Sequence, residues 1–391
     1  MMNQNEAMNQ PKEPVVESRL KRVKKFLYTT LNAMTFGIFG TIVVGAIVQT
    51  IGTILGLSGI LPEVNVLNAR VAPILTSLLG MGIGLSIGLS LKLSGLKLVM
   101  LSVAGGISTL LKVDFSLPGW FAQTPTNNPV TAYFVVISVY FIIEAIFRKK
   151  TVYDLFFIPL VGVLGAVLAC YVFSWPIDQL MNLIYSTIRF FMNIEPYTTS
   201  AFVALIFGIL LTLPFISSAG VAAVIFTIPF STGNDPIAIV AMCAAVVGCT
   251  AQMVGFSIQT VRKNDVGTIF TIGLASSMFQ FKNIVKKPMV WVPTLIASFV
   301  LAPLSYLIFG GYEWFIDAAV PNATPQLWPG MGSSGLVGQL LTLSTANFSS
   351  LAWLFAASQI IFPAILVFGL DVLFIKMKWY GENDLILDTT L

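Results

Sequence analysis

The chain is 391 residues long, 56% hydrophobic and 10% charged, with a formal net charge of +4 and no histidine; its mean hydropathy is +0.88. A soluble domain carries about 25% charged residues, so the composition excludes an ordinary soluble enzyme, implies no nucleic-acid partner and identifies a polytopic membrane protein. The apolar runs are continuous, without the period-2 alternation of a barrel, so the fold class is all-α.

Residues 1–33 form a polar and basic cytoplasmic segment. The opening "MMNQNEAMNQPKEPVVES" lacks the apolar core of a cleavable signal peptide, so the first span is expected to direct insertion. "ESRLKRVKKF" (17–26) is expected to lie as a helix on anionic membrane lipids. Transmembrane spans are expected near 34–59, 71–91, 95–111, 131–147, 155–174, 200–215, 218–231, 237–258, 289–310 and 351–375. Each approaches the roughly 20 apolar residues that cross a bilayer.

Residues 34–175 make up a scaffold or dimerisation half. Gly52 with Gly56, and the ladder Gly80, Gly84 and Gly88, have the four-residue spacing that lets helix backbones approach closely. Residues 176–199 are expected to form an amphipathic connecting helix at the outer interface. Ile177, Leu180, Met181, Ile184, Ile188 and Phe191 share one face, and Asn182, Ser186, Arg189 and Asn193 another. A span with its polar stripe turned into the bundle is the alternative. Residues 200–375 form a substrate-binding transport half, and 376–391 a cytoplasmic tail.

With both termini in the cytoplasm, the basic residues fall inside, apart from Arg70, Lys112 and Arg189. Two segments fit no span in this layout. "VGTIFTIGLASSMFQF" (266–281) is bracketed by Arg262 and Lys263 before it and Lys282, Lys286 and Lys287 after it, so it must dip into the membrane and return. "WPGMGSSGLVGQLLTLSTANFSS" (328–350) is expected to dip from the opposite face. Paired broken segments point to a transporter binding site.

Charged groups inside the spans are few. Glu144 is expected to pair with Arg148 one turn on, and Asp371 with Lys376; Asp235 falls in a loop. With no midplane carboxylate and no histidine, a proton relay is not expected, nor is a catalytic residue. Cys170, Cys243 and Cys249 lack metal-ligand or CxxC spacing and read as small buried hydrophobes, so no metal and no cofactor are expected.

What remains is a neutral polar set. Gln252, Ser257 and Gln259 precede the first dip; Ser276, Ser277, Gln280 and Asn283 lie in or just after it; Ser333, Ser334 and Gln339 lie in the second. Amides donate and accept, and hydroxyls rotate to suit, which is the chemistry for a small polar, hydroxyl-rich solute. Gln252, Ser257, Gln280, Asn283, Ser333, Ser334 and Gln339 are therefore the candidate substrate-binding residues; bonding between helices is the competing role. Gly330, Gly332 and Gly335 give the second hairpin its tight turn or direct backbone amides at a ligand. Arg262, Lys263, Lys282, Lys286 and Lys287 form a cytoplasmic basic rim.

"GCTAQMVGFSIQTVRKNDVGT", "SSMFQFKNIVKKPMVWVPTLIAS" and "GMGSSGLVGQ", in that order and spacing, resemble the membrane-embedded IIC-like family of the bacterial phosphoenolpyruvate-dependent sugar phosphotransferase system, in a branch often labelled as toxin regulators. The resemblance implies about ten transmembrane helices plus two re-entrant hairpins, a homodimer formed through the N-terminal half, and a sugar or sugar derivative carried by the C-terminal half across the bacterial cytoplasmic membrane. It also implies separate IIB and IIA subunits that deliver the phosphoryl group. The better-known members bind sugar with a histidine and an acidic residue in a GITE-like hairpin. This chain has neither at the matching place and no fused IIA or IIB domain, so a solute-binding sensor and a carrier without phosphorylation stand beside the permease reading.

Overall fold

The computed structural model describes residues 19–62, 65–113, 115, 117–122, 128–214, 216–231, 236–316, 328–346 and 348–387. Asp235, residues 1–18 and most of the loop before Trp328 lie outside the described residues. Helices dominate; Lys112–Val113 and Phe121–Ala122 add one short antiparallel ladder. Among the described residues, six helices are long and apolar enough to cross a membrane, and Leu67–Ser77 with Leu79–Ser90, bent by 45°, makes a seventh if the pair is one span. Gly95–Leu110, Pro196–Thr212 and Ser218–Ser231 are shorter apolar helices. Helix therefore covers each of the ten expected spans, and the chain is an all-α polytopic membrane protein.

Local sequence sets the helix starts. Pro129 opens Pro129–Ile146 with Asn128 as its cap, accepting a hydrogen bond from the Val130 amide at 2.9 Å. Ser349 caps Ser350–Lys376 by accepting from the Ala352 amide. Two expectations change. The basic stretch 17–26 does not form a separate surface helix where it is described: Arg19–Ile38 runs through a π-helical turn, Phe39–Val43, into Val44–Leu57. Likewise, Asp154–Met192 is one helix of 39 residues carrying Pro176 inside it. At 1.5 Å per residue it is about 58 Å long, nearly twice the roughly 30 Å of hydrocarbon. The amphipathic stretch is thus the continuation of the preceding span. Pro176 removes one backbone donor without ending the helix, because apolar residues on both sides of it keep a packed face: Ala169 and Cys170 before it and Ile177 and Ile188 after it are buried.

Apolar side chains pack into two main clusters. One draws mainly on residues 33–170, the other mainly on 177–367. In the first, Leu79–Ser90 lies so close to Gly95–Leu110 that a Cβ on Gly80 would overlap the Gly105 carbonyl, and one on Gly84 the Leu101 carbonyl. The glycine ladder therefore serves helix packing within one chain. The second cluster surrounds Pro236–Thr260, whose residues from Ala238 to Phe256 are all buried. This central helix touches Pro196–Thr212, Val292–Ile308 and Ser350–Lys376.

The ion pairs differ from those expected. Glu144 meets Lys97, not Arg148, at 2.6 Å, and the same ammonium donates to the Phe147 carbonyl at the end of Pro129–Ile146. A cation there offsets the negative end of the helix dipole as well as the carboxylate. Asp371 pairs with Arg262 and accepts from the Tyr380 hydroxyl at 2.7 Å.

Candidate functional site

Both interrupted segments are present. The first consists of Val266–Leu274, the turn Ser277–Gln280 and Phe281–Lys286. Asp265 caps its entering helix, accepting from the Thr268 amide at 3.1 Å and the Thr268 hydroxyl at 2.6 Å. Those two bonds, the hydroxyl first, hold the Asp265 carboxyl below its ordinary range. The chain breaks at Ala275 and Ser276, where Ser276 accepts from the Met278 amide at 3.2 Å and restarts the helix. Both ends of the segment reach the same tail: Asn264 donates to the Leu385 carbonyl at 3.1 Å, and Asn283 to the Ile386 carbonyl at 2.9 Å. The segment therefore returns to the side it left.

The second segment runs from Trp328–Gly330 through Ser334–Leu336 to Val337–Thr345. Gly332 and Gly335 take φ values of +54° and +55°, in the left-handed region that only glycine enters freely. Their positions leave no space for a side chain either. A Cβ on Gly332 would strike Cys249 and Thr250, near the middle of the central helix, and one on Gly335 would strike Ile47. Ser218 donates to the Gly330 carbonyl at 2.6 Å, fixing where the segment begins.

The two segments meet. Ser333 Oγ donates to the Gly273 carbonyl at 2.7 Å, and Ser334 Oγ to the Ala275 carbonyl at 2.8 Å. A broken helix leaves carbonyls without intrahelical partners, and the serines of one break satisfy those of the other. Non-helical backbone at this depth is tolerated because protein surrounds it.

The remaining candidates divide by what they touch. Gln252 is fully buried, and both of its polar atoms have partners. Its Oε1 accepts from Trp291 Nε1 and Thr294 Oγ1, both at 2.8 Å, and from Thr212 Oγ1 at 3.4 Å, while its Nε2 donates to Ser298 Oγ at 2.9 Å. Ser257 donates to the Ile269 carbonyl at 2.9 Å, joining the central helix to the first segment. Asn283 donates to Gln280 Oε1 at 2.7 Å, and Gln280 Nε2 to the Leu385 carbonyl at 3.2 Å. Gln259 donates to the Val290 carbonyl and the Tyr380 hydroxyl.

Gln259 Oε1 is itself buried without a partner, and Gln339 shares that feature within an amide pair. Gln339 Nε2 donates to Thr250 Oγ1 at 3.0 Å and to Gln359 Oε1 at 2.8 Å, yet Gln339 Oε1 and Gln359 Nε2 are buried without a partner. Turning both amides over only exchanges which residue holds the spare acceptor and which the spare donor. One donor and one acceptor remain open beside the second break. A hydroxyl carries both functions, one to donate and one to accept.

The basic rim is mostly neutralised by the tail. Arg262 lies between Asp371 and Glu382, Lys263 lies 3.6 Å from Glu382, and Lys287 pairs with Asp384 at 2.7 Å. The Asp384 carboxyl is held below its ordinary range, first by the Gly381 amide and then by Lys287. Burial raises the Tyr380 hydroxyl, and its bond to Asp371 adds to the shift. Phe374, Tyr380 and Leu385 pack with Phe256, Ile272 and Ile284 into a small cluster beneath these pairs. Lys286 is exposed, and Lys282 faces the first helix.

Sequence reasoning missed Thr250, Gln359, Trp291, Thr294 and Ser298 as partners. Gln359, an amide in the middle of the last apolar run, carried a usable signal, since polar groups there need a reason. The small hydroxyls carried none, because they bond their own helix as readily as a neighbour.

A search of the curated proteins finds no match to this chain, and a search of the solved structures finds none either. A family model described as "Phosphotransferase system, EIIC" matches residues 28–387, a range that takes in both interrupted segments, the central helix and the docked tail, so the chain belongs to the EIIC family, the membrane permease component of the sugar phosphotransferase system.

Proposed function

We propose that this EIIC chain carries a sugar or sugar derivative across the bacterial cytoplasmic membrane, with its described ends in the cytoplasm, holding the solute at the seam between the two interrupted segments. The observation that carries this reading is the open donor and acceptor on Gln359 and Gln339, sealed from water beside the joined breaks. A buried unsatisfied amide costs about 1–3 kcal/mol, a cost that a sugar hydroxyl removes. Ser333 and Ser334 join the two breaks; Gln252, Ser257, Gln280 and Asn283 brace the helices that hold them. Residues 34–175 serve as scaffold and dimerisation half, and 200–375 as the moving half. The tail closes the cytoplasmic side of the first segment, and separate IIB and IIA subunits supply the phosphoryl group. Phosphoryl transfer depends on positioning and charge stabilisation, so the lack of histidine leaves that role with the partner subunit.

The test is uptake of labelled hexoses and disaccharides into vesicles holding the purified chain, with and without a reconstituted phosphoenolpyruvate relay. Phosphorylated sugar inside is the expected result. Unmodified sugar inside would replace it with a carrier free of phosphorylation, and binding without flux with a sensor. Gln339→Leu with Gln359→Leu should abolish binding and leave a folded, inserted protein. Unchanged affinity removes this pair from the site.

A further inference from the structure

Three side-chain amides grip the backbone of residues 385–387. Asn264 does so twice: its Nδ2 donates to the Leu385 carbonyl at 3.1 Å, and its Oδ1 accepts from the Leu387 amide at 2.9 Å. A side-chain amide offers the same donor and acceptor as a peptide group, so Asn264 pairs with alternate residues here as the edge of a sheet would. Gln280 Nε2 donates to the same Leu385 carbonyl at 3.2 Å, and Asn283 Nδ2 to the Ile386 carbonyl at 2.9 Å. Ile386 between them is extended, with φ −66° and ψ 127°.

The side chains alternate as an extended segment requires. Leu385 is buried in the cluster of Phe256, Ile272, Ile284 and Phe374, Ile386 is exposed, and Leu387 packs back against the same cluster. Ahead of them, Glu382 lies beside Arg262 and Lys263, and Asp384 pairs with Lys287. The groove thus takes two carboxylates followed by two apolar side chains one residue apart. Its amides are aimed by bonds that do not involve the occupant. Asn264 Nδ2 also donates to the Thr260 carbonyl at 3.1 Å, and Asn283 Nδ2 to Gln280 Oε1 at 2.7 Å, which turns Gln280 Nε2 towards the groove. Asn264 precedes the first interrupted segment, and Gln280 and Asn283 follow its break, so the occupant bridges both arms.

We propose that the base of the first interrupted segment is a recognition groove for an extended acidic and apolar peptide, that residues 382–387 fill it as an internal ligand, and that a segment of this chemistry on a soluble protein partner displaces them. Main-chain bonds supply affinity, while the basic residues and the Leu385 pocket supply selection. A tethered occupant acts at an effective concentration on the order of millimolar, and the incoming segment must outcompete it. Displacement frees the two arms, and the change reaches the seam through the bonds of Ser333 and Ser334 to Gly273 and Ala275. The groove is separate from the seam and does not depend on the solute assigned there.

The test uses the full chain in nanodiscs and the amidated peptide GENDLIL, the sequence of residues 381–387, with a trifluoroacetyl group whose fluorine line width reports weak binding. Asp384→Lys with Leu385→Asp should undock the internal segment, seen as lost exchange protection at the Leu387 amide, and leave the groove open. The peptide should bind this variant, and bind the wild type at least about tenfold more weakly because the tethered segment competes. In the undocked background, Asn264→Leu removes two bonds and should weaken peptide binding about tenfold. A peptide with both carboxylates exchanged for lysine should not bind. Glu382→Gln with Asp384→Asn serves if the first double variant fails to fold. No binding to a folded, undocked variant overturns the proposal, as does equal binding to the wild type or of the lysine peptide. Continued protection of Leu387 in the first double variant overturns the selection by charge and pocket. Dissociation of a dimer by the peptide would make a second copy's tail the occupant and overturn the assignment to a separate partner.

Discussion

Replacing Gln252 with alanine separates a brace from a ligand-binding group. The amide connects the central helix to Pro196–Thr212 through Thr212, and to the Pro288–Ile308 segment through Trp291, Thr294 and Ser298. Three of those partners have other bonds to fall back on. Thr212 also reaches the Gly208 carbonyl, Thr294 the Trp291 carbonyl, and Ser298 the Gly248 and Thr294 carbonyls. Trp291 Nε1 loses the acceptor it has at 2.8 Å. Interhelical hydrogen bonds in membrane proteins average about 0.6 kcal/mol each, so losing four costs about 2 kcal/mol. A second route, one half-buried orphaned donor at roughly 1 kcal/mol plus a small packing defect of similar size, arrives at the same figure. The assay is reversible unfolding in mixed micelles titrated with dodecyl sulfate, run on Gln252→Ala, Trp291→Phe and the double variant. The cycle should show a coupling of about 0.5–1 kcal/mol. If Gln252→Ala costs less than about 0.5 kcal/mol and solute binding is nonetheless lost, Gln252 contacts the solute and the bracing argument is wrong.

Gly335→Ala combines a left-handed backbone with a clash against Ile47, and should destabilise by about 2–4 kcal/mol. Adding Ile47→Ala should restore the part due to overlap and leave the part due to φ; no recovery at all would show that the second interrupted segment does not touch Val44–Leu57. For the tail, the sign follows from Asp384, whose folded-state acidity is strengthened. A carboxyl with a lowered folded pKa stabilises above its unfolded value of about 3.9 and loses that contribution as pH falls through the folded value. The protection of amides across residues 381–387, measured relative to their intrinsic exchange rates at each pH, should therefore be constant at neutral pH and fall only below about pH 4. Opening near pH 6 would mean that another group controls the tail.

Hydropathy and charge were enough to read ten helical segments and two breaks. Both rest on local quantities: a bilayer accepts only runs of apolar residues, and basic residues on both sides of 266–281 force that segment to return. The caps are equally local, as Asp265 and Ser349 show, because the bonded amide lies three residues away. The continuity of Asp154–Met192 was harder to read, since a proline in an apolar helix is a break by propensity and only packing on both sides overrides it.

Partner choice was a different matter. Glu144 has Arg148 one turn away in sequence, yet Lys97 reaches it and the end of the same helix together. Gln252 and Gln339 are both amides in apolar surroundings; the first finds a partner for each polar atom on two neighbouring helices and the second is left with an open atom. The basic rim became a set of ion pairs because a tail 120 residues downstream folds back over it. Sequence by itself determined which groups are too polar for lipid and where the backbone must break, since each is a cost paid locally. Only the tertiary structure decided which of those groups satisfy one another and which remain open, because a hydrogen bond needs its partner within about 3 Å and that distance is set by helices far apart in the chain.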